Sequence, residues 1–554
     1  MDHSLSALEA RPAAVLAGIL SHLLFFKRGE RQLHPERYLM AFFLAFVASI
    51  LTLQYTADFP LRVAFQTTAT FAGLYLTGLY SSLILYRLLF NQLNKFPGPF
   101  WARLSSLYIA LRVRKNKDFH MYLLRMHQKH GRIVRIGPND LSIIDADCVQ
   151  VVSSAQSKCT RSIFYDQHLP ITSLHVTRDA REHAQRRRVW SRAFSESALR
   201  GYESRVQKYN DLLLNHVRNS NSKRLALQCT PMDMTRWFNI YSFDVMGDLG
   251  FGQSFGMLEA GEMHWAVATL QDALTIVGFN FPTWVIRLLH ALFSGNEAVR
   301  KFQGFFISQL EHRMQLQGKL DNLDVSHYLI DHFLKSDPMV QKKLVPMLQG
   351  DTRLIIIAGS DTTAITLTHL FYYLTTVPGL QERVRQEINE YRQLDGSFSN
   401  RDLQSAPLLN ACINETLRLH PAVASGVPRK TPKTGVHIRD IYIPADTVIQ
   451  MPWFSMGRDP EYFPDPERFI PERFTNRPDL ITHKDAWGPF SVGPYNCIGK
   501  NLAYMEIRGL TARLLTEFNV SLAPGEDGQK LINESKDHFT LGLQPFNLSF
   551  KKRQ

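Results

Sequence analysis

The sequence predicts a mainly α protein with a small β region, carried behind N-terminal transmembrane helices. Three observations predict it. The longest charge-free runs lie in the first ninety residues. Most of the remainder places apolar residues at helical spacing. Strand-like segments are few and clustered, at residues 133–136, 141–144, 436–443, 447–451 and 546–550.

Residues 38–57 form a run of twenty without a charge, and residues 63–86 one of twenty-four. Each is long enough to cross a hydrocarbon core of about 30 Å at about 1.5 Å per residue. Residues 12–26 are also uncharged, but fifteen is short for a span. No cationic stretch precedes them and no small-residue cleavage site follows, so they do not read as a secretory signal. A buried core helix, the alternative for such runs, fits poorly with two of this length.

Lys27, Arg28, Arg31 and Arg37 separate the first and second runs, and Arg87 and Lys95 follow the third. The loop near residues 58–62 carries one charge of each sign. The positive-inside bias then puts the first loop and everything after the third run in the cytosol. This holds whether all three segments span, or the first lies in the interface and only the hairpin crosses. Residues 1–94 are therefore a membrane anchor. Residues 95–102 open with Lys95-Phe96-Pro97-Gly98-Pro99-Phe100, a Pro-rich hinge stiffened by fixed φ angles. Residues 103–554 show no repeat or low-complexity stretch and read as one large domain.

Within that domain helices are expected over residues 181–194, 198–217, 307–320, 351–376, 408–419 and 500–518. The fourth is stopped by Pro378-Gly379 and the fifth by His420-Pro421. Five cysteines, Cys148, Cys159, Cys229, Cys412 and Cys497, are odd in number and include no CxxC pair. That excludes a disulfide scaffold or zinc ribbon and fits a reducing compartment. The net charge of +13 admits nucleic acid, an anionic membrane or an acidic protein as partner.

Four motifs carry chemistry. In Phe490-Ser-Val-Gly493-Pro-Tyr495-Asn-Cys497-Ile-Gly499 a Gly-rich turn sets one cysteine just before a helix. The dipole and the free backbone N–H groups there favour a thiolate. Gly493 and Gly499 permit tight turns and close approach to a flat ligand. A lone thiolate suits a single axial bond to haem iron, while a buried free cysteine is the alternative from these residues alone. Glu415-Thr-Leu-Arg418 puts opposite charges three residues apart on one helix face, an arrangement that is often only a surface pair. Ala358-Gly359-Ser-Asp361-Thr362-Thr363 interrupts an apolar helix with poor helix formers. It reads either as a packing kink or as a local opening where a carboxylate and a hydroxyl relay protons. His183 and Arg187 share a face of the basic 181–194 helix, which by itself also suits solvated surface.

Together, and in this order along the chain, these motifs resemble those of the cytochrome P-450 superfamily. Its haem loop, Phe-x-x-Gly-x-Arg-x-Cys-x-Gly, is matched at Phe490, Gly493, Cys497 and Gly499, with Tyr495 standing where the family has arginine. The resemblance implies a cytochrome P-450 fold, a haem (iron protoporphyrin IX), and Cys497 as the metal ligand. It implies a structural triad of Glu415, Arg418 and an arginine from a Pro-Glu-Arg-Phe segment. Of two such segments the second supplies Arg473, the first (Arg468) serving as lead-in. It implies that Asp361 and Thr362 manage the protons of oxygen activation. His183, Arg187 and Arg429 would bind haem propionates and compensate for Tyr495. Substrate walls would include Ile355, Ile356 and Ala358, the turn at 422–427, and residues 539–543.

The implied activity is insertion of one atom of O2 into an apolar small-molecule substrate. Electrons would come from a membrane-bound NADPH-cytochrome P-450 reductase carrying FAD and FMN, since no Gly-x-Gly-x-x-Gly fingerprint occurs in this chain. Residues 233–255 look like those of fungal microsomal members, many of which tailor secondary metabolites. That places the chain at the endoplasmic reticulum membrane with its catalytic domain in the cytosol, and removes nucleic acid as a partner. Two other readings stand beside it: a haem-thiolate isomerase or dehydratase needing neither O2 nor reductase, and a membrane haem sensor.

Overall fold

The structure, a computed structural model, describes residues 2–167, 169–222, 230–293, 297–319 and 323–553; Cys229 lies outside them. At the N-terminus, helix Asp2–Leu20 runs on through a π-turn, Ser21–Phe26, and is followed by helices Pro35–Thr56 and Leu61–Leu85. Pro35–Thr56 and Leu61–Phe90 are long and apolar enough to cross a membrane, while Ala10–Phe26 is apolar but shorter. The first helix is not a free appendage. A Cβ on Gly18 would overlap the carbonyl of Tyr75, and one on Gly78 the carbonyl of Val15, so two backbones pack in direct contact. His22 Nδ1 and Ser82 Oγ, 2.8 Å apart, join the same two helices.

The loop after the first helix docks on the globular body. Glu30 takes hydrogen bonds from Arg178 at 2.7 and 2.8 Å and from Lys430 at 2.7 Å. Burial alone would raise its carboxyl pKa; the hydrogen bonds from Arg178 and Lys430 outweigh that and hold it at about 2. Arg287 Nε donates to the Leu33 carbonyl at 3.2 Å. The first loop therefore lies on the same side as the body. The Pro-rich segment is also held down: Phe96 is buried, and the Arg135 amide donates to the Pro97 carbonyl at 2.7 Å.

The body is built around one helix of 39 residues, Pro338–Thr376. It starts thirteen residues before the apolar periodicity does, because Pro338 is preset for a first turn while its first turns stay largely exposed. Helices Met234–Phe251, Pro407–Leu419 and Lys500–Glu517 pack against it around a continuous apolar core. By length and composition it could cross a membrane, yet it is mostly buried in protein.

The β region is split. Five short strands order as Ile133–Arg135, Asp140–Ile143, Val448–Gln450, Arg429–Lys430, Thr160–Arg161, with only Asp140–Ile143 and Val448–Gln450 parallel. Strands Met232–Asp233, Asn547–Lys552 and Phe518–Leu522 form a second sheet. The expected 436–443 strand is a hairpin, Val436–Ile438 against Ile441–Ile443, turned at Arg439 with φ +51°. A further hairpin, Lys536–His538 with Thr540–Gly542, turns at Phe539 with φ +79°. The two-residue strands Thr160–Arg161 and Arg429–Lys430 pair so that Arg161 stands directly opposite Arg429.

Candidate active site

Cys497 sits at the end of a tightly closed loop. Its amide donates to the Phe490 carbonyl at 2.8 Å, and the Asn496 amide to the Gly493 carbonyl at 3.1 Å. Gly493 has φ +70°, and a Cβ there would overlap the Ser153 carbonyl, so no side chain fits. Gly499 is different: a Cβ would meet only Phe194 and the Cys497 sulfur at 3.8 and 4.0 Å. Phe490 stacks obliquely on Tyr504 with ring centres 5.5 Å apart. The Cys497 side chain is accessible, unlike buried Cys148, Cys159 and Cys412, although it lies deep within the body. Depth raises the thiol pKa, while the Gly499 and Lys500 amides ahead of helix Lys500–Glu517 and the charge of Arg187 pull it down.

Behind this loop is a closed ionic set. Arg418 donates to both oxygens of Glu415 at 2.7 Å, and Arg473 Nε reaches the same carboxylate at 3.3 Å. All three side chains are fully buried. The remaining donors are also satisfied. Arg418 reaches the Pro466 and Arg468 carbonyls at 2.7 and 3.1 Å, and Arg473 those of Asp465 and Leu480 at 2.8 and 3.1 Å. Arg468 instead is exposed and pairs locally with Asp465.

In front of the loop is an open set. The Tyr495 ring lies 4.4 Å from the Arg161 guanidinium, 5.0 Å from that of Arg429, and 4.4 Å from the His183 ring. Arg429 donates to the Tyr165 hydroxyl at 2.9 Å, and Arg161 to the Leu174 and Thr177 carbonyls at 2.9 and 2.6 Å. Arg187 reaches past them to the Asn496 carbonyl at 2.5 Å and to its side chain. Among the described residues none of the three arginines pairs with a carboxylate, and Arg161 Nε and Arg429 Nε are buried without any partner. Burial, then the charges of Arg161, Arg187 and Arg429, lower His183 to about 3, so it is neutral.

The central helix carries Asp361 and Thr362. It does not open there: Thr362 and Thr363 hydroxyls donate to the carbonyls of Ala358 and Gly359 at 2.8 and 3.1 Å, back-bonding that bends a helix without breaking it. Gly359 answers a packing need, since a Cβ would strike Met246 of helix Met234–Phe251. Ala358 is exposed and Thr362 half-buried, so this stretch of a core helix faces open space. Asp361 is buried, which pushes its pKa up to about 6 against the opposing hydrogen bond from Thr540. Ile355 and Ile356 are not walls of that space. They lie in the core, Ile355 against Gly250. Ser425, Gly426 and Phe539 do line a cavity of ≈ 800 Å³ beside the helix.

Sequence reasoning did not single out Arg161, Tyr165 or Asn496. It also passed over Asp351, whose carboxylate takes Arg186 Nε at 2.6 Å, Trp190 Nε1 at 3.1 Å and the Leu174 amide at 2.7 Å. This buried junction fixes helix Ala180–Ala193, which bears His183 and Arg187, to the central helix. The helical i, i+4 spacing of Arg186 and Trp190 was its available signal.

Guanidinium groups gathered beside an accessible thiol suit an acidic prosthetic group, and the helical body around them is that of an oxidoreductase family. The chain belongs to the cytochrome P450 family, whose model matches residues 97–550. It is 43% identical to the cytochrome P450 monooxygenase lcsK of Purpureocillium lilacinum over 544 residues, 98% of each chain. It is 39% identical to the cytochrome P450 monooxygenase notG' of Aspergillus versicolor over 97% of each. To tryprostatin B 6-hydroxylase of Aspergillus fumigatus it is 38% identical, over 98% of this chain and 96% of that one. The protein is accordingly a P450 monooxygenase of the type found in fungal secondary metabolism.

The family implies haem with a cysteine thiolate ligand, and the residues here fit it. Like charges directly opposite across a strand pair destabilise it. Arg161 and Arg429 hold that relation with orphaned, buried nitrogens. Two carboxylates of a bound group would neutralise and satisfy them.

Proposed function

We propose that the protein is a membrane-anchored monooxygenase that holds haem through Cys497 and oxidises an apolar small molecule at a C–H or C=C bond. The observation that carries this reading is one accessible, deeply set cysteine beside three guanidinium groups that have no carboxylate partners among the described residues. Arg161, Arg187 and Arg429 would hold the haem carboxylates, with Tyr495 as the aromatic spacer between the first and third and His183 as its neutral neighbour. Haem bound there would supply activation of O2 and transfer of one oxygen atom to substrate. Phe490, Gly493 and Gly499 shape the loop so that the Gly499 and Lys500 amides point at the sulfur. Thr362 holds a hydroxyl at the open face, and Asp361, with a pKa near neutrality, delivers protons toward it.

Residues 1–94 would anchor the chain in the endoplasmic reticulum membrane with residues 103–554 in the cytosol, joined by 95–102. Electrons would reach the site from an NADPH-cytochrome P-450 reductase in the same membrane. The Glu415–Arg418–Arg473 set would keep the loop's foundation rigid and take no part in chemistry. Thr362 at the open face with Asp361 buried beside it favours oxygen chemistry over the isomerase or dehydratase alternative.

The reduced, carbon-monoxide-bound protein should show the red-shifted Soret band of a thiolate ligand, lost in Cys497→Ala. Its absence from folded wild type would sink the proposal. Thr362→Ala should uncouple NADPH consumption from product formation; unchanged coupling would strip Thr362 of its role.

A further inference from the structure

The ≈ 800 Å³ cavity is walled mainly by aliphatic and phenyl groups, Phe119, Phe164, Phe302, Phe306 and Phe539 among them. Its ionisable wall residues are Asp140, Asp272, Asp537, His290 and Arg353, and Arg353 is the one permanent cation among them. Arg353 lies on the central helix and lines the cavity, yet among the described residues it has no hydrogen-bond, ion-pair or ring partner. Several buried arginines are instead ion-paired: Arg186 with Asp351, Arg313 with Asp324, Arg418 with Glu415. Those pairs belong to the fold. Arg353 is half-buried in a mainly apolar wall, and a guanidinium held there without a counter-charge is costly unless something arrives to pair with it. Burial is the only influence on its pKa, which it lowers; no acidic group acts on it. The Asp140, Asp272 and Asp537 carboxylates share the cavity wall, and none of them pairs with it.

We infer that Arg353 is the substrate-anchoring residue, and that the substrate is an apolar molecule bearing an oxygen acceptor, foremost a carboxylate, which this guanidinium grips. The inference rests on the monooxygenase reading above and adds a substrate class to it. Arginine suits this position because its planar fork takes a carboxylate through two bonds, which lysine cannot do.

Dodecanoate, methyl dodecanoate and dodecane serve as probes of the same reach. Their affinities are measured on the haem-loaded full chain in two ways: the spin-state shift of the Soret band and the ligand-induced rise in thermal midpoint. Wild type should bind dodecanoate ~10–100-fold more tightly than dodecane. Arg353→Met should abolish that preference while leaving dodecane affinity unchanged, and Arg353→Lys should keep part of it. If methyl dodecanoate shares the Arg353-dependent preference, a carbonyl acceptor suffices; if it behaves as dodecane, a carboxylate is required. Equal affinities in wild type, a preference that survives Arg353→Met, or no binding of any probe would overturn the inference. A missing thiolate Soret band would instead sink the parent reading, and the thermal readout would still decide whether Arg353 selects acceptor-bearing ligands.

Discussion

Two sets of arginines flank the Cys497 loop, and they differ in one respect. Arg418 and Arg473 share the Glu415 carboxylate and have carbonyl partners as well. Arg161, Arg187 and Arg429 crowd around Tyr495 and Asn496 with no acid among them. A closed set is complete in the polypeptide and serves its fold. An open set is incomplete without a ligand, and its unbound form carries strain that the ligand relieves. Lack of an acid alone does not mark an open set, since fully buried Arg135 is completed by the Gly137 and Pro138 carbonyls and Asn94; Arg161 and Arg429 differ in keeping buried nitrogens without any partner.

The largest break should come from the closed set. Glu415→Ala leaves two buried guanidinium groups uncompensated and removes the acceptor of the Ile470 amide, 2.9 Å away. We expect a loss of about 3–5 kcal/mol in urea-induced unfolding of the haem-free protein, with haem retention falling as a consequence. A loss below about 1 kcal/mol would erase the distinction. The open set should respond the other way. Arg161→Ala or Arg429→Ala should leave the haem-free stability unchanged or slightly higher, since a like-charge pair is relieved. Haem affinity in the same variants should drop ~10–100-fold, read by transfer to an acceptor haem protein. Arg187→Ala should also weaken retention, and each of these should exceed Tyr495→Phe, which removes a hydroxyl without a hydrogen-bond partner among the described residues. A haem-free protein destabilised as much as Glu415→Ala would mean the open set belongs to the fold after all.

The smallest effect concerns Glu30, which closes Arg178 and Lys430. Its pKa is lowered in the fold from 4.5 to about 2. The stabilisation is therefore present above about pH 4.5 and lost as pH falls toward 2, because the folded state must then take up the proton it had excluded. The carboxylate is partly exposed, so solvent screening limits its worth to about 1 kcal/mol. Wild type and Glu30→Gln should differ by that much in unfolding free energy at pH 7 and converge near pH 2. Parallel profiles would show the contact to be energetically idle.

Much of this was legible in sequence, and the reasons for the rest are local. Glu415 and Arg418 lie three apart on one helix, so their pairing needs no tertiary knowledge. Arg473 became readable only because Pro-Glu-Arg-Phe occurs twice and the copies can be ranked by their lead-in. Arg161 was invisible: it occupies a two-residue strand, too short for alternation, and meets Arg429 across 268 positions of chain. Tyr495 could be read as a departure, but not as a ring stacked between guanidinium groups, since stacking depends on both neighbouring strands. Ile355 and Ile356 were misplaced because an apolar helix in a core is hydrophobic on every side, and composition does not say which side meets the cavity. The anchor's length was plain, whereas its packing turned on Gly18 and Gly78, two small residues in separate runs.

The Glu30 contact has a consequence for how the molecule sits. A body joined to its anchor only through residues 95–102 could swing over the bilayer like a buoy on a single line. The loop at Glu30 and Leu33 adds a second mooring, and Arg287 makes it fast to helix Thr283–Phe293, whose Ile286, Leu289 and Phe293 line the large cavity. Helix Pro35–Thr56 packs on the same helix, so the cavity wall keeps a fixed heading relative to the apolar N-terminal helices. Cutting the chain at the hinge to obtain a soluble enzyme would release both at once and leave Arg178 and Lys430 without their shared acid.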